Sequence, residues 1–343
     1  MPKIKSFDGI RVFATVAVFL YHTGLMPYIA SEAVSVFFLL SGFLSYYTLQ
    51  KSDNIGVGKG TITYIKKKFL AFFPVNFAGY LVFCLFFIYS CICGKTIFDV
   101  KDFLIKSILN LGFMQTLFKD YSVILNEPSW YLSTLMICFL FAYIIYIFIK
   151  KCSSTKYLFC AWMGIIILLW IINSASYFDG ACIYTNPLYR ILEFICGNLI
   201  ARIHVNIKVN DLELKVKKAS IFEGILLGII VIEWLIKFIF PEINENYAYS
   251  IFPLSVFLLI VSLGKGVISK FLSMPFLGRI APYTLEFYIL HETVFRFMYE
   301  TFRLNGNWFI NGLLYSIFSF IVLIPMTYLL HIFVQKNKQQ SKY

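Results

Sequence analysis

Charge is scarce in this sequence. Only 14% of its 343 residues are Asp, Glu, Lys or Arg, against about 25% in soluble domains. Hydrophobic residues make up 59%, including 38 Phe. That balance excludes an ordinary soluble globule, whose core could not hide so much apolar surface, whereas lipid accepts it. Metal-ligand spacing is missing too. Eight Cys stand at 84, 91, 93, 138, 152, 160, 182 and 196. Cys91 and Cys93 form a C-x-C, no second pair follows, and most of the eight lie in apolar runs, where Cys acts as a small hydrophobe. A zinc site and a disulfide framework are thereby excluded, and no metal is expected. The chain also lacks a Gly-rich phosphate loop, an internal repeat and a low-complexity tract. A cleavable signal peptide is not expected, because the first apolar run carries Arg11 and His22 and has no small-residue cleavage site. Residues 1–343 read as a single integral-membrane domain with no appended soluble domain.

The charge that is present is lopsided, at +12 net. This does not point to nucleic acid, since Lys and Arg collect in the loops on one side of a membrane protein. Runs long and apolar enough to cross the hydrocarbon predict an all-α membrane helix bundle of ten spans, at 10–28, 33–49, 70–92, 130–149, 157–174, 188–203, 220–239, 248–263, 281–300 and 309–334. The stretch 103–118 is too short and polar for a span and reads as an interfacial or re-entrant helix. With the N-terminus inside, the inner segments hold 20 Lys and Arg against five outside, and the loop 240–247 carries two Glu and no cation. The positive-inside rule therefore predicts N-in and C-in termini.

Ionisable groups at membrane depth cost several kcal/mol and are functional candidates by default. In the first span, Asp8 is placed to cap the helix, Arg11 sits near its cytoplasmic end, and His22 follows eleven residues later. That separation is about 16 Å along a helix, on nearly the same face. Imidazole is the usual general base near neutral pH; a snorkelling Arg and a hydrogen-bonded His are the simpler alternative. Ser41-Gly42 in the second span suits close helix approach. Lys66, Lys67 and Lys68 before Pro74 serve as an orientation signal or as phosphate contacts. Trp130 and Tyr131 suit an interfacial aromatic belt. Arg190 and Glu193, one turn apart in the sixth span, can pair, for structure or for catalysis. The ninth span is the most polar, with Tyr288 and His291 amid Glu286, Glu292 and Arg296, so it should face the interior. His204 and His331 are expected to play packing roles.

Taken in order, these residues resemble acyltransferase family 3, membrane proteins that acylate cell-surface sugars and related acceptors. Arg11 and His22 match the family's Arg, ten residues, His. Phe37, Phe38, Ser41, Gly42 and Phe43 are similar to its Phe-Phe-x-x-Ser-Gly-Phe. Arg190, Glu193, Phe194 and Gly197 resemble its Arg-x-x-Glu-Phe-x-x-Gly, and Tyr288 with His291 its late Tyr-x-x-His. The resemblance runs from Phe7 to about Phe295. Two departures stand out. Lys68 takes the place of the first Arg of a pair before the third-span Pro, and Ala71 leaves the second empty. Leu135 stands where many members carry a Glu, which excludes a catalytic carboxylate in the fourth span.

The resemblance implies an O-acyltransferase of the cell (plasma) membrane. Its co-substrate would be cytoplasmic acyl-CoA, most often acetyl-CoA, with no tightly bound cofactor. Its acceptor would be a hydroxyl of a sugar or polysaccharide. It assigns catalysis to His22, Glu193, Tyr288 and His291, and donor binding to Arg11, Lys67, Lys68, Ser41 and Arg190. His22 either removes the acceptor proton or is briefly acylated itself. A homodimer stays open. A transporter or flippase for a glycan precursor would also need buried Arg, Glu and His, but no repeat relates the two halves. An idle sensor that keeps the fold is a third reading, against which the intact Arg11 and His22 argue.

Overall fold

The computed structural model describes residues 3–51, 57–95, 98–175, 180–209, 215–240, 247–302, 304 and 306–340. The two Glu of the 240–247 loop, Arg303 and Lys342, used above for orientation, lie outside them. The described residues form helices α1 Ser6–His22, α2 Ala30–Gln50, α3 Val57–Ile92, α4 Val100–Leu111, α5 Ser129–Lys151, α6 Thr155–Ser174, α7 Gly180–Thr185, α8 Pro187–Val209, α9 Val216–Ile239, α10 Ile251–Ser262, α11 Val267–Leu272, α12 Pro275–Ile280, α13 Thr284–Phe302 and α14 Trp308–Gln340, with short 3-10 turns between some of them. No strand occurs among the described residues.

Local signals set several helix starts. Asp99 accepts hydrogen bonds from the backbone of Lys101 at 2.9 Å and Asp102 at 3.2 Å, capping α4. Asn186 accepts from Leu188 N at 2.8 Å, and Pro187 opens α8, where a missing N–H costs nothing. Asp8 does not cap α1 as expected. It lies inside the first turn, and its carboxylate meets Lys3 at 2.6 Å and, more loosely, Arg11 at 3.8 Å.

Each of the ten expected spans falls on a helix, but among the described residues six helices are long and apolar enough to cross a membrane: those over Ala30–Gln50, Gly58–Ile92, Ser129–Lys151, Thr155–Ser174, Val216–Ile239 and Trp308–Lys336. α1 and α10 are shorter, while α8 and α13 carry too many charges. Helices α3, α6, α9 and α14 leave apolar faces uncovered, with Leu85, Ile171, Ile239 and Ile321 each more than half exposed. Lipid, which needs no polar partner, is the solvent such faces suit. The 103–118 stretch is α-helical as far as Leu111 and then forms a 3-10 turn over Gln115–Leu117.

The chain builds two compact units. The first comprises Met1–Ala14, Tyr28–Ile65 and Ile137–Ala281; the second comprises Thr15–Pro27, Lys66–Met136 and Pro282–Tyr343. Helices α1, α3 and α5 each contribute to both.

In the first unit, α2 and α8 pack backbone to backbone. A Cβ on Gly42 would overlap the carbonyl oxygen of Phe194, and a Cβ on Gly197 would overlap that of Leu39. Two motifs read separately in the sequence are thus the two halves of one notch, and small residues are required there. Around it several buried polar groups are paired: Ser6 Oγ donates to Val261 O at 3.0 Å, Lys237 pairs with Glu32, and Glu223 Oε2 accepts from the Ile268 and Ser269 amides at 2.8 and 3.2 Å.

The second unit is knit by a polar network joining α3, α4 and the start of α5. Asn76 Nδ2 donates to Asn110 O at 3.0 Å, and Asn110 Nδ2 donates to Gln115 Oε1 at 2.9 Å and Ser129 Oγ at 2.6 Å. Ser133 Oγ donates to Phe113 O at 2.9 Å. The segment expected to be interfacial or re-entrant is therefore tied to buried partners at Asn110, Phe113 and Gln115.

Candidate functional site

The second unit gathers ionisable groups around the end of α1. His22, its last residue, faces His291 of α13, the two rings 5.0 Å apart and inclined at 62°. His291 is buried, and its Nδ1 lies 2.5 Å from the carbonyl oxygen of Tyr288. A carbonyl can only accept, so Nδ1 carries the proton and Nε2 presents a lone pair. Among the described residues Nε2 finds no hydrogen-bond partner. Phe19 and Phe287 pack against the same ring. Tyr288 is also buried and meets Tyr131 edge-on at 5.5 Å. Trp130 and Tyr131 do not form the interfacial belt expected of them. Both are buried, because the polar network turns the start of α5 inward.

The loop before α5 supplies groups that the sequence reading passed over. Asn126, fully buried, donates from Nδ2 to Ile289 O at 3.1 Å and accepts at Oδ1 from Thr293 Oγ1 at 3.1 Å. A Cβ on Gly79 of α3 would strike this amide, so glycine leaves its space. The next residue, Glu127, ion-pairs with Arg296, which also holds Glu292 at 2.8 Å. Burial pushes the Glu127 carboxyl up to about 7; the neighbouring Glu292 adds to this by charge and hydrogen bond, and Arg296 opposes it. Glu127 and Arg296 are the charged groups whose fields reach His22. The signal in the sequence was the polar run Asn126-Glu127-Pro128-Ser129 at the mouth of an apolar span.

The remaining site residues divide between the units. Lys67 and Lys68 belong to the second, where Lys67 is exposed and Lys68 half-buried. Arg11, Ser41, Arg190 and Glu193 belong to the first. There Arg190 Nη1 donates to Glu193 Oε1 and Oε2 at 2.8 and 2.9 Å and lies 3.1 Å from Ser35 Oγ, and its Nε donates to Tyr184 O at 2.8 Å. Ser35 Oγ in turn donates to Glu193 Oε1 at 2.8 Å. Both members of the ion pair have no exposed surface, and the rings of Phe38, Tyr184 and Tyr189 stand 5.0–5.7 Å from the guanidinium. Arg11 keeps about a third of its side chain exposed. His204 contacts Ser262 and packs on Phe43, and His331 pairs with Glu286 at 2.8 Å.

The described residues thus combine helices long and apolar enough to cross a membrane with a pair of facing histidines. A family model described as an acyltransferase domain, the Acyl_transf_3 family, matches residues 4–332, and the chain belongs to that family. It is similar to the acyltransferase MdmB of Streptomyces mycarofaciens, with 26% identity over 183 residues, or 46% of this chain and 43% of that protein. The chain thus aligns to under half the length of this curated relative. No solved structure matches it.

Proposed function

We propose that this protein is an O-acyltransferase of the plasma membrane, moving an acyl group, by default acetyl, from cytoplasmic acyl-CoA to a hydroxyl of a cell-surface sugar or polysaccharide. The observation that carries the reading is the meeting of His22 with His291 in a buried aromatic setting, in a chain whose family transfers acyl groups. On this reading His22 removes the proton of the acceptor hydroxyl as its oxygen attacks the thioester carbonyl. The oxygen–carbonyl bond forms, the carbon–sulfur bond breaks, and the imidazolium returns its proton to the departing thiolate. The products are an ester and CoA thiol, and His22 ends neutral. His291, fixed by the Tyr288 carbonyl, presents an acceptor nitrogen to the same space.

Donor binding is assigned to Arg11, whose guanidinium fork matches phosphate oxygens. The exposed Lys66 and Lys67 draw an anionic donor to the cytoplasmic face. The reading places both termini in the cytoplasm and lets α1, α8, α10 and α13, more polar or shorter than lipid-facing helices, cross the membrane shielded by their neighbours.

The test uses membranes of expressing cells, which carry the native acceptor, supplied with acetyl-labelled acetyl-CoA. His22→Ala should abolish label transfer while the protein stays inserted and melts normally. Transfer at near the wild-type rate by His22→Ala overturns the reading.

A further inference from the structure

We infer that Glu127 is the positioning residue that supplies the counter-charge for His22 when its ring takes the acceptor proton. This rests on the reading of His22 as the base. An imidazolium at His22 is favoured by a nearby anion, and the fourth span, on α5 Ser129–Lys151, carries no Asp or Glu. The loop ahead of that span brings one.

The loop is held at several points. Leu125 adopts φ 54°, a left-handed conformation that costs a non-glycine residue on the order of 1 kcal/mol or more and persists only where the surroundings impose it. They do so here: Asn126 is clamped at both ends of its amide by the Ile289–Thr293 turn, and Ser129 Oγ donates to Asn126 O at 2.6 Å. That same turn of α13 carries His291 and Glu292. The strained loop therefore presents Glu127 to the one stretch of α13 that faces His22.

Against Glu127 stand Glu292 and Arg296 of α13; His22 of α1 lies within reach of its charge, with His291 against the His22 ring, and Gly79 of α3 adjoins the neighbouring Asn126. Arg296 would repel an imidazolium if it stood alone. Arg296 pairs with both Glu127 and the buried Glu292, the latter at 2.8 Å, so two carboxylates stand against one guanidinium and, when both are ionised, the cluster presents net negative charge to His22. A carboxylate near an imidazole favours its charged form and so lowers the barrier to proton removal. Only ionised Glu127 can do this. Because its carboxyl titrates near 7, the supporting charge is present above that pH and is lost as the pH falls through it.

The experiment measures label transfer from acetyl-CoA against pH in the same membranes, for wild type, Glu127→Gln, Glu127→Asp and His22→Ala, with detergent melting of each. The wild-type rate should rise through pH 7. Glu127→Gln should lower kcat about tenfold to a hundredfold, leave KM for acetyl-CoA unchanged and abolish the rise. Glu127→Asp should recover part of kcat and keep a rise at displaced pH. If His22→Ala is inactive while Glu127→Gln keeps wild-type kcat and the same profile, the role given to Glu127 is overturned and the base stands. If His22→Ala is active, the base itself falls. Should Glu127→Gln fail to fold, Glu127→Asp decides: an unaltered kcat and profile overturns the inference.

Discussion

Arg190 and Glu193 offer the clearest energetic test of the fold. Arg190→Met deletes the cation and leaves Glu193 with the Ser35 hydroxyl as its remaining hydrogen bond, in a site with no exposed surface. An orphaned buried charge of this kind costs about 5 kcal/mol, the upper end for broken buried pairs. Glu193→Gln is milder. An amide oxygen can still accept from Arg190, and the guanidinium keeps the Tyr184 carbonyl and its three aromatic neighbours, so the cost should be about 3 kcal/mol. Independent sites would lose about 8 kcal/mol together. In the double variant neither charge is present, and the loss should fall back to about 3 kcal/mol. At roughly 2 °C per kcal/mol for a long chain, melting in detergent should drop by about 10, 6 and 6 °C for the three variants. Strictly additive losses, near 16 °C, would show that the two side chains do not depend on each other and would refute the argument. Activity adds a second readout, because activity that stays lost after stability returns assigns the pair to the reaction.

Two further outcomes follow from the geometry. Arg11→Ala should raise KM for acetyl-CoA severalfold and Arg11→Lys should recover part of it, since Lys keeps the charge without the fork; an unchanged KM removes Arg11 from donor binding. Gly42→Ala and Gly197→Ala should each cost about 1–3 kcal/mol by forcing backbones apart, read as lowered melting, whereas Gly164→Ala, where an added Cβ meets open space, should melt as wild type.

The helices and the membrane class were legible because composition and apolar run length act locally, residue by residue along the chain. Close approach at Ser41-Gly42 was legible for the same reason, although its partner, Gly197, could not be paired with it before the helices were placed. The pairing of His22 with His291 was half legible: each stood out as an imidazole in an apolar run, but the two lie 269 positions apart in the chain. Glu127 was not legible. Its meaning comes from Arg296 and Glu292, more than 160 residues away, and on its own it is one acid in a loop. Trp130 and Tyr131 misled because an aromatic at the start of a span belongs equally to an interface and to an interior, and only the buried network around Ser129 decides between them. The division into two units left no composition shift to read, since α1, α3 and α5 run through the boundary in the middle of apolar stretches.

The notch between α2 and α8 limits how the first unit can move. With Gly42 seated on the Phe194 carbonyl and Gly197 on the Leu39 carbonyl, neither helix can slide along its axis without driving a backbone oxygen into a Cα, nor roll without lifting off the other. Ser35 of α2, one turn before Leu39, is bonded to Glu193 of α8, the neighbour of Phe194, which fixes rotation as well as register. The two helices are in mechanical terms a single girder. A conformational cycle that admits donor and releases product has to carry them together, and any hinge must lie in the segments that lead into and out of the pair.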